Sequence, residues 1–144
     1  ITTLEEKSLG CIRKSGHCAV NDVLGYGQPV MHTGLNLLNA PGNDLIASTA
    51  LAVSGAQIVL FTTGRGTPFG CPVPTLKIAT NTPLARKKQS WIDFNAGVLL
   101  EDAMEATARQ LYQFVKEVAN GERLTKNEIN GFREISLFKT GVIL

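Results

Sequence analysis

The sequence is poor in the residues from which metal centres and disulfide frameworks are usually built. It has 2 histidines and 3 cysteines in 144 residues. An odd number of cysteines at irregular spacing is a poor disulfide framework. Cys11, Cys18 and Cys71 include no CxxC pair, and His17 and His32 have no partner at ligand spacing, which argues against a structural zinc site. The sequence therefore predicts reduced thiols in a cytoplasmic protein.

The sequence also lacks a large excess of charge and a long apolar run. Its 14 Lys and Arg against 12 Asp and Glu give a net charge of +2, too little for the clustered basic face of a nucleic-acid-binding protein. The uncharged stretch 45–64 contains six polar side chains and a glycine, so it predicts a buried helix and strand rather than a membrane span. Residues 1–10 show no signal peptide. The length of 144 residues fits a single domain.

Hydrophobic periodicity predicts alternating strands and helices. Strands are predicted at 18–24, 35–39, 57–62, 75–79 and 91–94, and helices from Thr3 to Gly16, at 44–54, at 83–89 and at 101–119. The order of strand 35–39, helix 44–54 and strand 57–62 predicts a βαβ unit with parallel strands and a right-handed crossover. The fold class is therefore α/β, with a mostly parallel sheet and flanking helices. Residues 135–138 and 141–144 are expected to form a terminal strand or an extended arm.

An apolar stripe on the longest predicted helix, 101–119, indicates core packing. Its members are Met104, Ala108, Leu111, Tyr112, Val115, Val118 and Ala119.

Ligands of parallel α/β sheets bind beyond the carboxyl ends of the strands. Three polar loops, at 41–44, 62–68 and 80–82, are expected to meet at that edge. The residues predicted to contact a substrate there are Asn43, Thr62, Thr63, Gly64, Arg65, Gly66 and Asn81.

The second of these loops is the most informative. Gly64 and Gly66 flank Arg65, so the backbone can adopt positive φ on either side. Successive N–H groups there can form an anion-binding nest, and the guanidinium suits a carboxylate. The functional interpretation is a clamp for an acidic substrate, and the alternative is a tight turn with a solvated arginine.

A dinucleotide site is a further alternative for this loop. Residues 64–70 read GxGxxxG after a strand, whereas the dinucleotide fingerprint is GxGxxG at the start of a helix. Pro68, Pro72 and Pro74 oppose a helix at this point, so the match is poor.

Three other side chains are candidates for acid–base work. Asp44 lies at a strand-to-helix junction, where it either binds a metal or substrate hydroxyl or stabilises the helix N-terminus. Glu6 and Lys7 lie in the first predicted helix, either as acid–base or metal-binding groups or as an exposed first turn.

Eight motifs follow one another along nearly the whole chain. They are TTLEEKSLGC at 2–11, GLNLL at 34–38, PGND at 41–44, LFTTGRGTPFG at 60–70, KIATN at 77–81, WIDFNAG at 91–97, FREI at 132–135 and FKTGV at 138–142. Together they resemble the C-terminal catalytic region of the altronate and galactarate dehydratases.

The resemblance implies a hydro-lyase that converts D-altronate to 2-keto-3-deoxy-D-gluconate. It also implies a divalent metal, Fe(II) or Mn(II), a Rossmann-like domain with an unusual crossover, and a homodimer. Residues 1–144 would form one α/β domain, the C-terminal part of a larger multi-domain enzyme. The alternatives are a galactarate-type dehydratase domain and a non-catalytic module that binds sugar acids or acts as a scaffold.

Such a dehydration assigns roles to the candidates. Arg65 or backbone N–H groups would stabilise the enediolate that develops at the carboxylate. Glu6, Lys7 and Asp44 are the candidates for the acid and base, and Glu6 and Asp44 are also candidate metal ligands. Cys71 is assigned no catalytic role.

Overall fold

The structure is a computed structural model, and it describes residues 3–137. The helices are α1 Leu4–Lys14, α2 Asp44–Val53, α3 Thr82–Lys87, α4 Met104–Ala119 and α5 Lys126–Asn130. The strands are β1 Val20–Leu24, β2 Leu35–Leu38, β3 Val59–Thr63, β4 Thr75–Ala79 and β5 Phe94–Asn95, and a 3₁₀ helix spans Ala96–Leu100. All nine predicted elements up to residue 119 are present, the strand at 75–79 with its predicted ends and the others with shifted ends, whereas α5 and the 3₁₀ helix were not predicted.

The strands form two small parallel sheets, which confirms the α/β fold class. One sheet pairs β1 with β2, and the other has the order β3-β4-β5. The predicted βαβ unit is therefore wrong in one respect, because β2 and β3 lie in different sheets. The local pattern predicts each strand but not its partner. Strand β4 is buried at all five positions and offers β3 a larger apolar contact than the half-exposed β2.

The main core lies between the second sheet and α4. Leu76 and Ile78 of β4 pack against Phe114 and Val118 of α4. The buried face of α4 runs through Thr107, Phe114 and Val118, with Leu111 and Val115 packed beside it.

The predicted stripe on α4 is therefore partly wrong. Met104 and Tyr112 are 71% and 67% exposed, and Ala108 and Ala119 are exposed as well. The reason is Phe114, a large apolar side chain. Its burial orients α4 so that the face that carries Phe114 packs on the sheet.

The N-terminal part of the chain is packed much less closely. Leu4 of α1 is 83% exposed and Val23 of β1 is 67% exposed. Helix α1 begins with the predicted capping box, in which Thr3 N–H donates to Glu6 Oε2 at 3.1 Å and Glu6 N–H donates to Thr3 Oγ1 at 3.3 Å.

The ends of the chain bear on two predictions. Residues 132–137 have no regular secondary structure, so of the two alternatives for 135–138 the described residues 135–137 form no strand and agree with an extended arm. Residue 138 and the predicted arm at 141–144 lie outside the described residues. Within residues 3–137, the structure has no helix long and apolar enough to cross a membrane.

Candidate functional site

The first and second predicted loops meet at one cavity of about 620 Å³. This volume is in the usual range for small-molecule sites. Its lining residues are Gly42, Asn43, Asp44, Leu45, Thr67, Phe69 and Ser136. We call it the Asp44 cavity. The sequence therefore located the two walls correctly, although Ser136 comes from the C-terminal segment and was not predicted.

The third loop contacts the second through Asn81. Its side-chain amide donates to the carbonyl of Gly64 at 3.0 Å, and its Oδ1 accepts from Leu84 N–H at 2.9 Å as the N-cap of α3. Thr80 N–H donates to Thr63 O at 3.0 Å. Because β3 and β4 pair in register from Val59 to Thr63, their carboxyl ends bring these two loops together.

The loop around Arg65 differs from the predicted nest. Gly66 has φ +81° but Gly64 does not adopt positive φ, and Gly66 N–H donates to Thr63 Oγ1 at 2.9 Å. One predicted donor is thus used inside the loop. Arg65 itself is exposed and forms no ion pair with any residue in 3–137, so its guanidinium is available to a ligand. Thr62 is exposed at the end of β3.

The sequence left open whether Asp44 stabilises the start of a helix or faces a ligand. In the structure Asn43 caps the helix, and the Asp44 side chain lies at the cavity. Asn43 is the N-cap of α2, and its Oδ1 accepts from the N–H groups of Leu45 at 3.2 Å and Ile46 at 3.3 Å. Asp44 is the first residue of the helix, and its side chain is exposed at the cavity. The helix N-terminus stabilises its negative charge, and no described residue occupies its carboxylate with a hydrogen bond.

The other two candidates are not brought to this cavity. The Glu6 carboxylate accepts from Thr3 N–H in the capping box of α1, and Glu6 is not among the residues that line the Asp44 cavity. The side chain of Lys7 lies outside the described part of the structure.

A metal centre was predicted at Glu6 and Asp44. In the described part of the chain no group of three or more His, Cys, Asp or Glu side chains is placed to hold a metal ion. The described residues therefore do not by themselves fit a divalent metal.

Sequence reasoning missed a buried lysine at the centre of β4. Lys77 has no exposed surface, and its Nζ donates to the backbone carbonyl of Thr67. Burial removes the hydration of its ammonium and lowers its pKa to about 8, an effect opposed by the carboxylates of Asp93 and Glu134. The available signal was a lysine inside a five-residue strand whose other members are apolar or Thr.

Asp93 ties the lysine's strand to α5. Its Oδ2 accepts from the backbone N–H of Lys77 at 2.8 Å, and its Oδ1 accepts from the backbone N–H of Lys126 at 2.7 Å. Burial raises the pKa of this carboxyl, while the two backbone donors lower it. Asp93 is thus a structural carboxylate that fixes β4 beside the N-terminus of α5.

Glu134 closes the loop from the other side. Gly70 N–H donates to Glu134 Oε2 at 2.9 Å, and Glu134 N–H donates to Gly70 O at 2.7 Å. Ser136 N–H donates to Thr49 Oγ1 of α2 at 3.2 Å. The segment 132–137 therefore crosses from the second loop to α2 and completes the cavity.

Comparison with known proteins gives consistent matches. The family model described as D-galactarate/Altronate dehydratase, C-terminal, matches residues 1–143. The chain is 58% identical to an altronate dehydratase of Bacillus subtilis (strain 168) and 55% identical to that of Escherichia coli (strain K12), in both cases over 100% of this chain and 29% of the relative. It is 38% identical to a galactarate dehydratase (L-threo-forming) of Escherichia coli (strain K12), over 87% of this chain and 24% of the relative. The chain thus spans less than a third of the length of these relatives.

Proposed function

This chain belongs to the D-galactarate/altronate dehydratase family, whose C-terminal region it matches, and we propose that it forms part of a hydro-lyase that dehydrates D-altronate. The higher identity to altronate dehydratases than to galactarate dehydratase supports altronate as the substrate. The proposed product is 2-keto-3-deoxy-D-gluconate.

The observation that carries this proposal is the arrangement of two unpaired charged groups on adjoining loops. Asp44 lines a cavity of about 620 Å³ together with Thr67, and Arg65 precedes Thr67 by two residues with its guanidinium free of described ion pairs. A polyhydroxy acid needs a cation for its carboxylate and polar groups for its hydroxyls. Asn43, Thr62, Thr63, Gly64, Gly66 and Asn81 are the proposed polar surroundings.

The chemistry sets what these groups have to do. The C–H bond at C2 breaks and its proton goes to a base, while the hydroxyl at C3 leaves as water after it has received a proton. The resulting enol then becomes the 2-keto acid. The negative charge that develops on the carboxylate would be stabilised by Arg65, and the Asp44 carboxylate is the described group available to move a proton.

The proposal also includes a divalent metal and a cytoplasmic homodimer. Fe(II) or Mn(II) would bind with Asp44 as one ligand, and further ligands would have to come from outside the described set. A cytoplasmic homodimer is the proposed setting, and the free thiols of Cys18 and Cys71 agree with its reducing compartment.

The test is turnover of D-altronate and of galactarate by the full-length protein, with formation of the 2-keto-3-deoxy acid measured over time. We expect turnover of D-altronate, and a loss of about 1000-fold in kcat/KM for Arg65→Ala because the charge that stabilises the transition state is removed. The matched control is Arg86→Ala, since Arg86 is exposed on α3, and it should keep native turnover.

Three results would contradict parts of the proposal. Native turnover in Arg65→Ala would show that Arg65 does not clamp the substrate carboxylate. Preference for galactarate would show that D-altronate is not the substrate. Saturable binding of the sugar acid without loss of water would indicate a binding module instead of an enzyme.

A further inference from the structure

We propose that Lys77 is a positioning residue of this site: its amine holds the backbone of the second loop at Thr67, so that Thr67 and Phe69 form their part of the wall of the Asp44 cavity. The role in turnover rests on the proposed function. The role in holding the loop does not depend on it and can be measured separately.

Lys77 is buried in the middle strand of the second sheet. All five residues of β4 are buried, and the Lys77 side chain has no exposed surface. Lysine is almost never fully buried without a partner, because its ammonium loses its hydration. A methionine or leucine would fill this place at lower cost, so the amine must have a use that offsets the cost.

The Lys77 amine contacts two residues of the second loop. Nζ donates to the carbonyl oxygen of Thr67 and lies 5.0 Å from the centre of the Phe69 ring. An ammonium that donates to a carbonyl forms a charge-assisted bond, which is stronger than a neutral one. The contact joins the centre of a buried strand to the middle of an otherwise irregular loop.

The contact between Lys77 and Thr67 lies at the wall of the Asp44 cavity. Thr67 and Phe69 both line the Asp44 cavity, whereas Lys77 does not. The Phe69 ring also packs against Phe61 of β3, with ring centres 5.0 Å apart at an interplanar angle of 87°. Lys77 thus acts on the cavity through the loop and is not placed to touch a ligand.

The carboxylates around the amine do not compete for it. Asp93 uses both oxygens for backbone N–H groups, and Glu134 Oε2 accepts from Gly70 N–H. No ion pair joins Lys77 to either of them among residues 3–137. Both carboxylates favour the protonated amine through their charge, while the direct hydrogen bond is left to Thr67.

The experiment compares native full-length protein with Lys77→Met, which keeps the apolar stem of the side chain against Phe69 and removes the amine. Two quantities are measured: kcat/KM for D-altronate as a function of pH, and amide hydrogen exchange in residues 64–70. We expect kcat/KM to fall by about 100-fold at neutral pH, as for a misplaced binding wall. Exchange in residues 64–70 should accelerate by about tenfold or more while the amides of β3 and β4 stay protected.

The pH profile separates positioning from a purely structural role. Native kcat/KM should decline as pH rises through about 8, because loss of the proton weakens the bond to Thr67. Lys77→Met and Lys77→Gln carry no titrating group at this position and should lack that decline. Lys77→Gln also serves if the Met variant does not fold, since it keeps an N–H donor without the charge.

The matched control is Lys87→Met on the exposed end of α3, which should resemble native protein in both measurements. The inference is overturned if a folded Lys77 variant keeps kcat/KM within about twofold of native, a change too small for a lost binding wall. It is also overturned if exchange in residues 64–70 is unchanged, or if both variants keep the decline near pH 8. Absence of dehydration by the native protein would instead refute the proposed function, and hydrogen exchange would still test the loop.

Discussion

The two parallel sheets of this chain differ in how completely they are covered. In β3-β4-β5, strand β4 is buried at every position and α4 packs on Leu76 and Ile78. In β1-β2, Val23 is 67% exposed, and α1 nearby in sequence leaves Leu4 83% exposed. Parallel strands are usually covered on both faces, and among the described strands only β4 is buried at every position.

This difference also separates the functional candidates. The loops that follow β3 and β4 are fixed by hydrogen bonds that Asn81 and Lys77 donate and by one that Glu134 accepts from Gly70 N–H. Glu6 of α1 is held by a contact within its own helix turn. A precise site needs rigid supports, so the covered sheet is better suited than α1 to position a ligand, together with the start of α2, which forms the other wall of the Asp44 cavity.

The comparison is tested most strongly by removing an apolar side chain from each sheet. Leu76→Ala should lower the free energy of unfolding by about 3 kcal/mol, because it leaves a cavity under α4. Val23→Ala should change it by less than about 0.5 kcal/mol, since the side chain is mostly in water. Urea unfolding measures both values, and similar losses in the two variants would show that the sheets are equally well covered.

Two glycine substitutions test the same difference in packing, because they are expected to change the free energy of unfolding in opposite directions. A Cβ on Gly97 would overlap the backbone of Asn81 and Thr82, so Gly97→Ala should destabilise the chain by about 2 kcal/mol and disturb the third loop. Gly10 lies inside α1 with nothing within 4 Å of its Cβ position, so Gly10→Ala should stabilise by about 0.5–1 kcal/mol. Thermal unfolding of both variants would expose an error if they shift in the same direction.

The buried amine predicts a pH dependence that belongs to the covered sheet alone. The pKa of Lys77 is lowered from 10.5 to about 8 in the fold, so the unfolded chain binds more protons between these values. The free energy of unfolding of the native chain should therefore rise with pH from about 8 to 10.5 relative to Lys77→Met. A tenfold or larger change in the ratio of the two unfolding constants is expected, since one pKa unit corresponds to about tenfold. A constant difference across this range would show that the amine is not buried as described.

A modest effect is expected at the cap of α2, the helix that joins β2 of one sheet to β3 of the other. Asn43→Ala removes the acceptor for Leu45 and Ile46 N–H and should cost about 1 kcal/mol, whereas Asn43→Asp keeps the cap. If Asn43→Ala lowers turnover without lowering the unfolding midpoint, Asn43 contacts the substrate in addition to capping the helix.

The sequence predicted local features well because they depend on neighbours along the chain. Strand Thr75–Ala79 and the cap at Asn43 were predicted correctly, since a run of apolar residues and an Asn before a helix are short-range signals. The Asn43 and Thr67 loops were predicted to meet because their strands were expected to share one sheet. They do line the Asp44 cavity together, although β2 and β3 lie in different sheets. The roles of Arg65 and Asp44 in catalysis remain predictions.

The features that sequence reasoning missed depend on long-range contacts. Strand β3 pairs with β4 rather than with β2, and no residue of β3 specifies its partner. In the sequence Lys77 has no feature that distinguishes it from a surface lysine, because its burial depends on the loop around Thr67. The orientation of α4 is set by Phe114 meeting Leu76, a contact between residues far apart in sequence.

The bonds between Gly70 and Glu134 have a consequence for how the protein is made. These residues are 64 positions apart, and Ser136 reaches Thr49 across 87 positions. The ribosome synthesises the Arg65 loop long before the segment that closes it, and contacts of such separation form late. The cavity wall should therefore be completed only after synthesis of residues 134–136, so that a nascent chain stalled before this point would hold its sheet without a complete Asp44 cavity.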